Sequence, residues 1–576
     1  MGHDENHNYP NGQGRNSRQI TLFQKTMKKI LMTLAAITLL MAMPVLTSCS
    51  VEDIPATNPV QEELAEATII WYGTGGGNVD PYILADFRQF YDARPESFDR
   101  VNIVAQYKAS LNPLVYQGLT DEEVSQKAKE LAAGKTEKEL EAMTMEDYFF
   151  LFHPKRSATY RFAVDPAKTL RQQFLETEPY GAMNCDFTCP DSLTNFINWA
   201  ARTYPAKRYI LVMADHGGGY LPNHDVAEAA ETRGMVFDDG YQNGNTSGNR
   251  YKCFSAKSFA RAVKNADVHI EGIVPYLCLM NNLEFLYEVK DVTDYIACST
   301  YTLWGTIGAM QSLPDNLAAG LDTKTALVNF VDANVDSWDK NLYDPANPEE
   351  PNYYDMTLTE TKRLDDLAPV LKEFTDRLVD TYQNGTAEQR AAIDECTANA
   401  VKVYNQFPLY DMAKYMESLF LVLPDVFNYA LYNRFADAFN ACIAHQRYAR
   451  YLTNHNYQVD YSMILAVRGH YIYYVYDLSD TELQTATVYY TDGTTETYQY
   501  VTGDGDSSSG SLDHYVFQES GTWPSTFADT YQQTTFDRLV GWSRWLLLNE
   551  TAPPAWSPSS FCFKLPSDDM SGIPTL

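Results

Sequence analysis

An α/β fold built on a mostly parallel sheet flanked by helices is predicted by three features of this 576-residue chain. From residue 67 onward, short apolar runs alternate with helix-length amphipathic stretches, the rhythm of a parallel sheet with crossover helices. Two runs, Tyr209 to Met213 and Gly272 to Leu277, are almost continuously apolar, as strands buried on both faces must be. Each of these runs ends on a chemically competent residue, His216 after the first and Cys278 after the second. Open α/β sheets place their ligands at such strand ends.

The elements follow in order. Residues 1–26 are polar, and MKKILMTLAAITLLMAMPVLTSCS then combines two lysines, an apolar stretch and a small-residue end, as in a secretory signal starting at Met27. Near its end, Leu46-Thr47-Ser48-Cys49 resembles a bacterial lipobox, which implies cleavage before Cys49 and a lipid on its thiol. Residues 49–66 are acidic and Pro-containing and read as a tether. Thr68 to Tyr72 is the first strand. Its exit, GTGGGN, matches neither the dinucleotide nor the P-loop pattern and reads as a loop bordering the cleft. DPYILADFRQFYDA is a helix and Val101 to Tyr107 the second strand. Residues 108–158 interrupt the rhythm as a helical insertion, with capping boxes beginning at Thr120 and Thr136. The sheet resumes at Thr159 to Val164, and Asp191 to Ala201 puts Leu193, Phe196, Ile197 and Ala200 on one helical face.

Past the histidine, three glycines (Gly217 to Gly219) read as a turn, and the stretch to Tyr251 as a long polar loop. Ser255 to Ala266 is a helix, and His269 to Val274 leads to Cys278. The α/β core spans 67–320; 321–460 is largely helical by periodicity, and 461–576 is a mixed, β-rich region. There TATVYYTDGTTETYQYV alternates around Asp492-Gly493, a hairpin signal, and Phe536 to Asn549 is one amphipathic segment.

A histidine at the end of one buried strand and a cysteine at the end of another is the layout a thiol nucleophile and its base require. Taken singly, the histidine reads equally as a turn residue and the cysteine as a small buried hydrophobe. The pairing, with Gly217 after the histidine to let a backbone N–H approach a substrate carbonyl, favours chemistry. Strand, His-Gly, helix, strand, Cys resembles the caspase-like cysteine peptidases. The text around Cys278 (Tyr276, Leu277, Leu279, Met280, then Glu284), the segment Leu286 to Thr300 and the approach MNCDFTCPDSLTNFINWAARTYPAKRYILVMADHGGG are similar to the clostripain family, from about Ala67 to Met310.

That resemblance implies a caspase-like three-layer fold and acyl transfer to water. His216 and Cys278 are the catalytic pair, and the N–H groups of Gly217 and Cys278 form the oxyanion hole. The family carries Asp two residues before the cysteine, lining a pocket for Arg or Lys. Tyr276 stands there in this chain, so a strict basic specificity is not expected; Tyr276 and Asp215 are the candidate pocket and tuning residues. Family members are often cleaved between the two blocks after a basic residue, for which Arg233 is the candidate here.

The net charge is −31; removing the first 48 residues takes away five Lys/Arg and two Asp/Glu and deepens it to −34. Such a balance argues against nucleic acid as a partner, and peptide or protein is the expected substrate. With Cys49 acylated and Cys278 free, seven cysteines remain, so a full disulfide framework is excluded, although Cys185 and Cys189 lie close enough in sequence to pair. The ten histidines show no zinc spacing. No cofactor is expected; the acidic loop Asp504 to Asp506 is a weak Ca²⁺ candidate. The N-terminal signals imply export and membrane attachment through Cys49, on the outer membrane. Two other classes compete with the peptidase: a silent relative that binds peptides, and a surface glycan binder served by the 41 tyrosines. The glycan-binding class implies a nearly all-helical repeat fold, which the alternating strands oppose.

Overall fold

The computed structural model describes residues 64–74, 79–109, 119–151, 158–180, 186–222, 232–237, 253–301, 303, 308–349, 353–401, 409–454, 464–466, 471–475, 483–489, 495–501, 516–520, 531–546 and 548. The lipobox and Cys49, Cys185, Asp492-Gly493 and the Asp504 to Asp506 loop lie outside them. The chain divides into two units, Met1–Pro55 and Ala56–Leu576, and every described residue belongs to the second.

The strands are, in chain order, β1 (Ala67–Thr74), β2 (Val101–Ala109), β3 (Ala158–Ala163), β4 (Tyr209–Ala214), β5 (Gly217–Pro222), β6 (Thr232–Phe237), β7 (Cys253–Phe254), β8 (Gly272–Tyr276), β9 (Tyr295–Cys298), β10 (Asp355–Glu360), β11 (Leu409–Asp411) and β12 (Ile443–Tyr448). Eight of them form one sheet in the order β12-β10-β9-β8-β4-β1-β2-β3. Its centre, from β2 through β1, β4 and β8 to β9, is parallel; β3 at one edge runs antiparallel to β2, and at the other β10 runs antiparallel to β9 and β12 antiparallel to β10.

Burial on both faces explains the continuous apolar runs. Successive residues of β4 alternate between two cores, with Leu211 and Met213 in one and Ile210, Val212 and Ala214 in the other. The first core is closed by Phe196, Phe259, Phe285 and Leu371 from the helices Pro190–Thr203, Ala256–Lys264, Leu283–Val289 and Leu364–Asn384. Phe87, Leu317, Phe330 and Trp338, from Asp80–Arg88, Ser312–Ala318 and Thr323–Leu342, close the second. The predicted mostly parallel sheet between helical layers is therefore the observed architecture.

Local expectations met the structure unevenly. Both capping boxes of the insertion are formed, Thr120 with Glu123 and Thr136 with Glu139. The segment after His216, expected as a turn and a long loop, instead pairs as β5, β6 and β7 in a separate three-stranded sheet. Only Gly219 of the three glycines takes a positive φ (59°), beside an irregularity in the β5 register. The 321–460 region is helical as expected but also supplies β10 and β12, which extend the main sheet. The segment from Phe536 is two short helices, Thr535–Val540 and Ser543–Leu546, parted at Gly541 (φ 70°), a left-handed cap that ends a helix. It packs back on the first core through Phe536, Trp542 and Trp545.

Toward the C-terminus, β13 (Ile464–Ala466) pairs with β11, and β14 (Tyr471–Val475), β15 (Leu483–Tyr489), β16 (Thr495–Val501) and β17 (Val516–Ser520) form two antiparallel pairs, β14 with β17 and β15 with β16. Among the described residues no helix is long and apolar enough to cross a membrane.

Candidate active site

Parallel neighbours in a sheet bring equal steps of chain side by side. β4 and β8 are adjacent, and their register pairs Ala214 with Tyr276. His216 and Cys278 each lie two residues beyond that pair, at the carboxyl ends of the strands, so the register carries the two toward each other. Their chains touch at the next residue. A Cβ built on Gly217 would lie 2.1 Å from the carbonyl oxygen of Cys278 and 2.8 Å from its nitrogen. Only glycine fits there, and the His-Gly pair thus holds its backbone directly against the cysteine's.

Both side chains are half-buried. Loss of water lowers the His216 imidazole to about 4, and pushes the Cys278 thiol above its ordinary value. Both shifts favour the uncharged pair, thiol beside neutral imidazole, over the thiolate-imidazolium ion pair. Two contacts work the other way: the Leu303 N–H donates to Cys278 Sγ at 3.3 Å, and the backbone N–H of Cys278 itself adds to it, both stabilising the thiolate.

The loop after β8 is held by a small polar network. Leu279 takes a positive φ of 62°, costly for a branched side chain, and its N–H donates to Tyr301 O at 3.0 Å. Asn281 N–H donates to Ser299 O at 2.9 Å, and Asn281 Nδ2 donates to Thr300 Oγ1 at 3.0 Å. Asn282 caps the next helix through Phe285 N–H and donates to Leu279 O. On the histidine side, Val236 of β6, also at φ 62°, donates its N–H to His216 O at 3.2 Å.

The remaining predicted positions separate. Asp215 is half-buried beside His216. Tyr276 points into the second core: it is 4% exposed, with its ring centroid 6.4 Å from that of Trp338. A Cβ on Gly308 would meet the Tyr276 hydroxyl at 2.5 Å and Asn334 Oδ1 at 2.7 Å, so the phenol fills the space beneath that glycine. Arg233 lies in β6, its backbone paired with Leu221 of β5, rather than in an open loop. Cys189 is a free thiol. Among the described residues no cluster of His, Cys, Asp or Glu is arranged to hold a metal ion.

Reasoning from sequence missed Asp355. This carboxylate is fully buried at the start of β10 and accepts from Ser299 Oγ at 2.8 Å, Thr300 N–H at 2.9 Å and Tyr301 N–H at 3.0 Å. Burial raises it to about 6, against those hydrogen bonds, which lower it. Its signal in the sequence is a lone Asp before an alternating run, which distinguishes nothing.

The model of the clostripain family matches residues 171–543 of the chain. The match begins later and reaches much further than the expected resemblance from about Ala67 to Met310. No curated protein matches. Among solved structures the chain is similar to a secreted cysteine protease from Bacteroides thetaiotaomicron in complex with an irreversible peptide inhibitor, at 11% identity and a TM-score of 0.47, over 83% of this chain and 99% of that one. A second secreted cysteine protease from the same organism, iotapain, shares 15% identity over 67% of this chain and 87% of its own, with a TM-score of 0.43. An inactive zymogen protease from Parabacteroides distasonis shares 12% identity over 84% and 99%, with a TM-score of 0.43.

Proposed function

The chain belongs to the clostripain family, and from that premise we propose that it is an endopeptidase that cleaves peptide bonds with Cys278 as nucleophile and His216 as base. The observation that carries this reading is the approach of Gly217 to Cys278, which joins the two strand ends into one site.

The burial of both groups sets the order of proton movement. His216 is neutral above about pH 4 and Cys278 rests as a thiol. His216 therefore takes the thiol proton as sulfur attacks the scissile carbonyl, and returns it to the departing amine. Water, deprotonated by the same imidazole, then releases the acyl group. The N–H groups of Gly217 and Cys278 face the developing oxyanion, each worth about 3 kcal/mol by analogy with other acyl-transfer sites. Tyr276 stands at the position where the family resemblance puts the Asp of a basic-residue pocket, and it turns inward beneath Gly308, so the residue preceding the cleaved bond is small or apolar rather than Arg or Lys.

Export and attachment by a lipid on Cys49 belong to the same proposal. Fatty-acid labelling that persists in a Cys49→Ala variant would refute that part.

The test of the activity is a diverse peptide library, offered under reducing conditions to the protein from Ser50 onward and to its Cys278→Ala variant. Cleavage that vanishes in the variant, with an unchanged unfolding temperature, supports the peptidase. Cleavage that persists, or a folded wild-type protein that cuts nothing, refutes it and leaves the silent, peptide-binding relative.

A further inference from the structure

The sulfur of Cys278 is positioned from a second strand pair. β10 runs antiparallel to β9, so its first residue, Asp355, lies beside the carboxyl end of β9, at the edge of the sheet that carries His216 and Cys278. There its carboxylate gathers the side-chain hydroxyls of Ser299 and Thr300 and the backbone N–H groups of Thr300 and Tyr301, three consecutive residues. Ser299 Oγ accepts from Tyr301 N–H and, 3.0 Å from Tyr301 O, shares its single hydroxyl hydrogen between that oxygen and Asp355, so the turn closes on itself. The turn so fixed receives the Leu279 N–H at Tyr301 O, and Leu303, two residues further along the chain, donates its N–H to Cys278 Sγ.

We propose that Asp355 is a positioning residue for the nucleophile, holding the 299–301 turn so that the Leu303 N–H stays on the sulfur and stabilises the thiolate formed in attack. The inference rests on Cys278 being the nucleophile. A buried carboxylate satisfied entirely by its own chain's donors is more than the sheet edge requires: a Thr or Val would continue β10 without the cost of burying a charge. An acceptor with several lone pairs is, however, what a turn with four converging donors needs.

The experiment follows alkylation of Cys278 by iodoacetamide against pH in the full chain, reading the Cys278 peptide by mass spectrometry so that other thiols do not contribute. Asp355→Ala is expected to slow alkylation at pH 7 about tenfold and to move its pH midpoint up by about one unit, the size of one lost hydrogen bond to a charged sulfur. kcat falls by a similar factor with KM unchanged. Asp355→Asn keeps an acceptor oxygen at the Oδ1 position and stays within about threefold of the wild type. An alanine variant that folds and keeps the wild-type alkylation profile overturns the proposal, as does an asparagine variant as slow as alanine. Should alanine prevent folding, Ser299→Ala removes one donor and is expected to slow alkylation roughly two- to threefold; an unchanged rate overturns the proposal. A wild-type Cys278 that cleaves no peptide refutes the peptidase reading instead, and the alkylation profiles separate the two failures.

Discussion

Replacing Gly217 by alanine tests the contact that joins the two halves of the site. The new Cβ would start 2.1 Å from Cys278 O, 2.8 Å from Cys278 N and 2.8 Å from Leu277 Cβ. Carbon and oxygen atoms do not approach closer than about 3.3 Å even in attractive C–H···O contacts. The His216 and Cys278 chains must therefore part by about 1 Å. The obstacle is backbone, which cannot swing away as a side-chain tip would. A misplacement of that size costs on the order of 10²-fold in a reaction that depends on aligned groups. Overpacking costs about 1–3 kcal/mol of stability. The assay is kcat/KM on a peptide found by the library, together with Cys278 alkylation and thermal unfolding. A Gly217→Ala protein with wild-type turnover would refute the reasoning, because the two strand ends would not then be in the contact described.

Further outcomes follow from the same geometry. His216→Ala is expected to lower kcat by about 10²- to 10⁴-fold, measured by steady-state kinetics, because the base is removed while the fold is left intact. Since burial holds His216 near 4, kcat/KM per folded molecule should persist to about pH 4–5 and fail below, as the imidazole gains its proton; a failing limb near 6.5 would contradict it. Asp355, raised to about 6 from 3.8, gives the opposite slope in stability. The folded state holds a proton that the unfolded state has released, so stability falls as pH rises between about 4 and 6, by up to about 3 kcal/mol. His216, lowered to about 4, slopes the other way over the same range, so denaturant unfolding at several pH values should show the decline as the difference between the wild type and Asp355→Asn. Tyr276→Ala, emptying a site packed against Trp338, is expected to cost about 3–5 kcal/mol in urea unfolding and to admit larger side chains before the cleaved bond, read by the peptide library.

How far the sequence reaches is clearest at particular residues. The runs from Tyr209 and Gly272 announce buried strands, and their ends announce His216 and Cys278, because a strand buried on both faces leaves only its last residue free for chemistry. The Thr-x-x-Glu boxes at Thr120 and Thr136 are equally legible, since both partners lie within one turn of helix. The three glycines after His216 misled, because an exposed turn and a glycine strand differ only in what pairs with them; here β6 does. Gly541 was passed over inside an amphipathic pattern, although a left-handed cap there splits the helix.

Local periodicity, then, sufficed for the fold class, for strands β1 to β4 and β8 and for the strand-end positions of the two residues of the proposed dyad, because each depends on neighbours a few positions away. Which strands lie side by side depends on contacts about sixty residues apart or more. The pairing of β4 with β8 that aligns His216 with Cys278, the antiparallel return of β10 that sets Asp355 under the 299–301 turn, and the inward turn of Tyr276 onto Trp338 are all of this kind. They were decided only when the sheet closed its two cores, since register and burial are properties of the assembled layers and not of any segment within them.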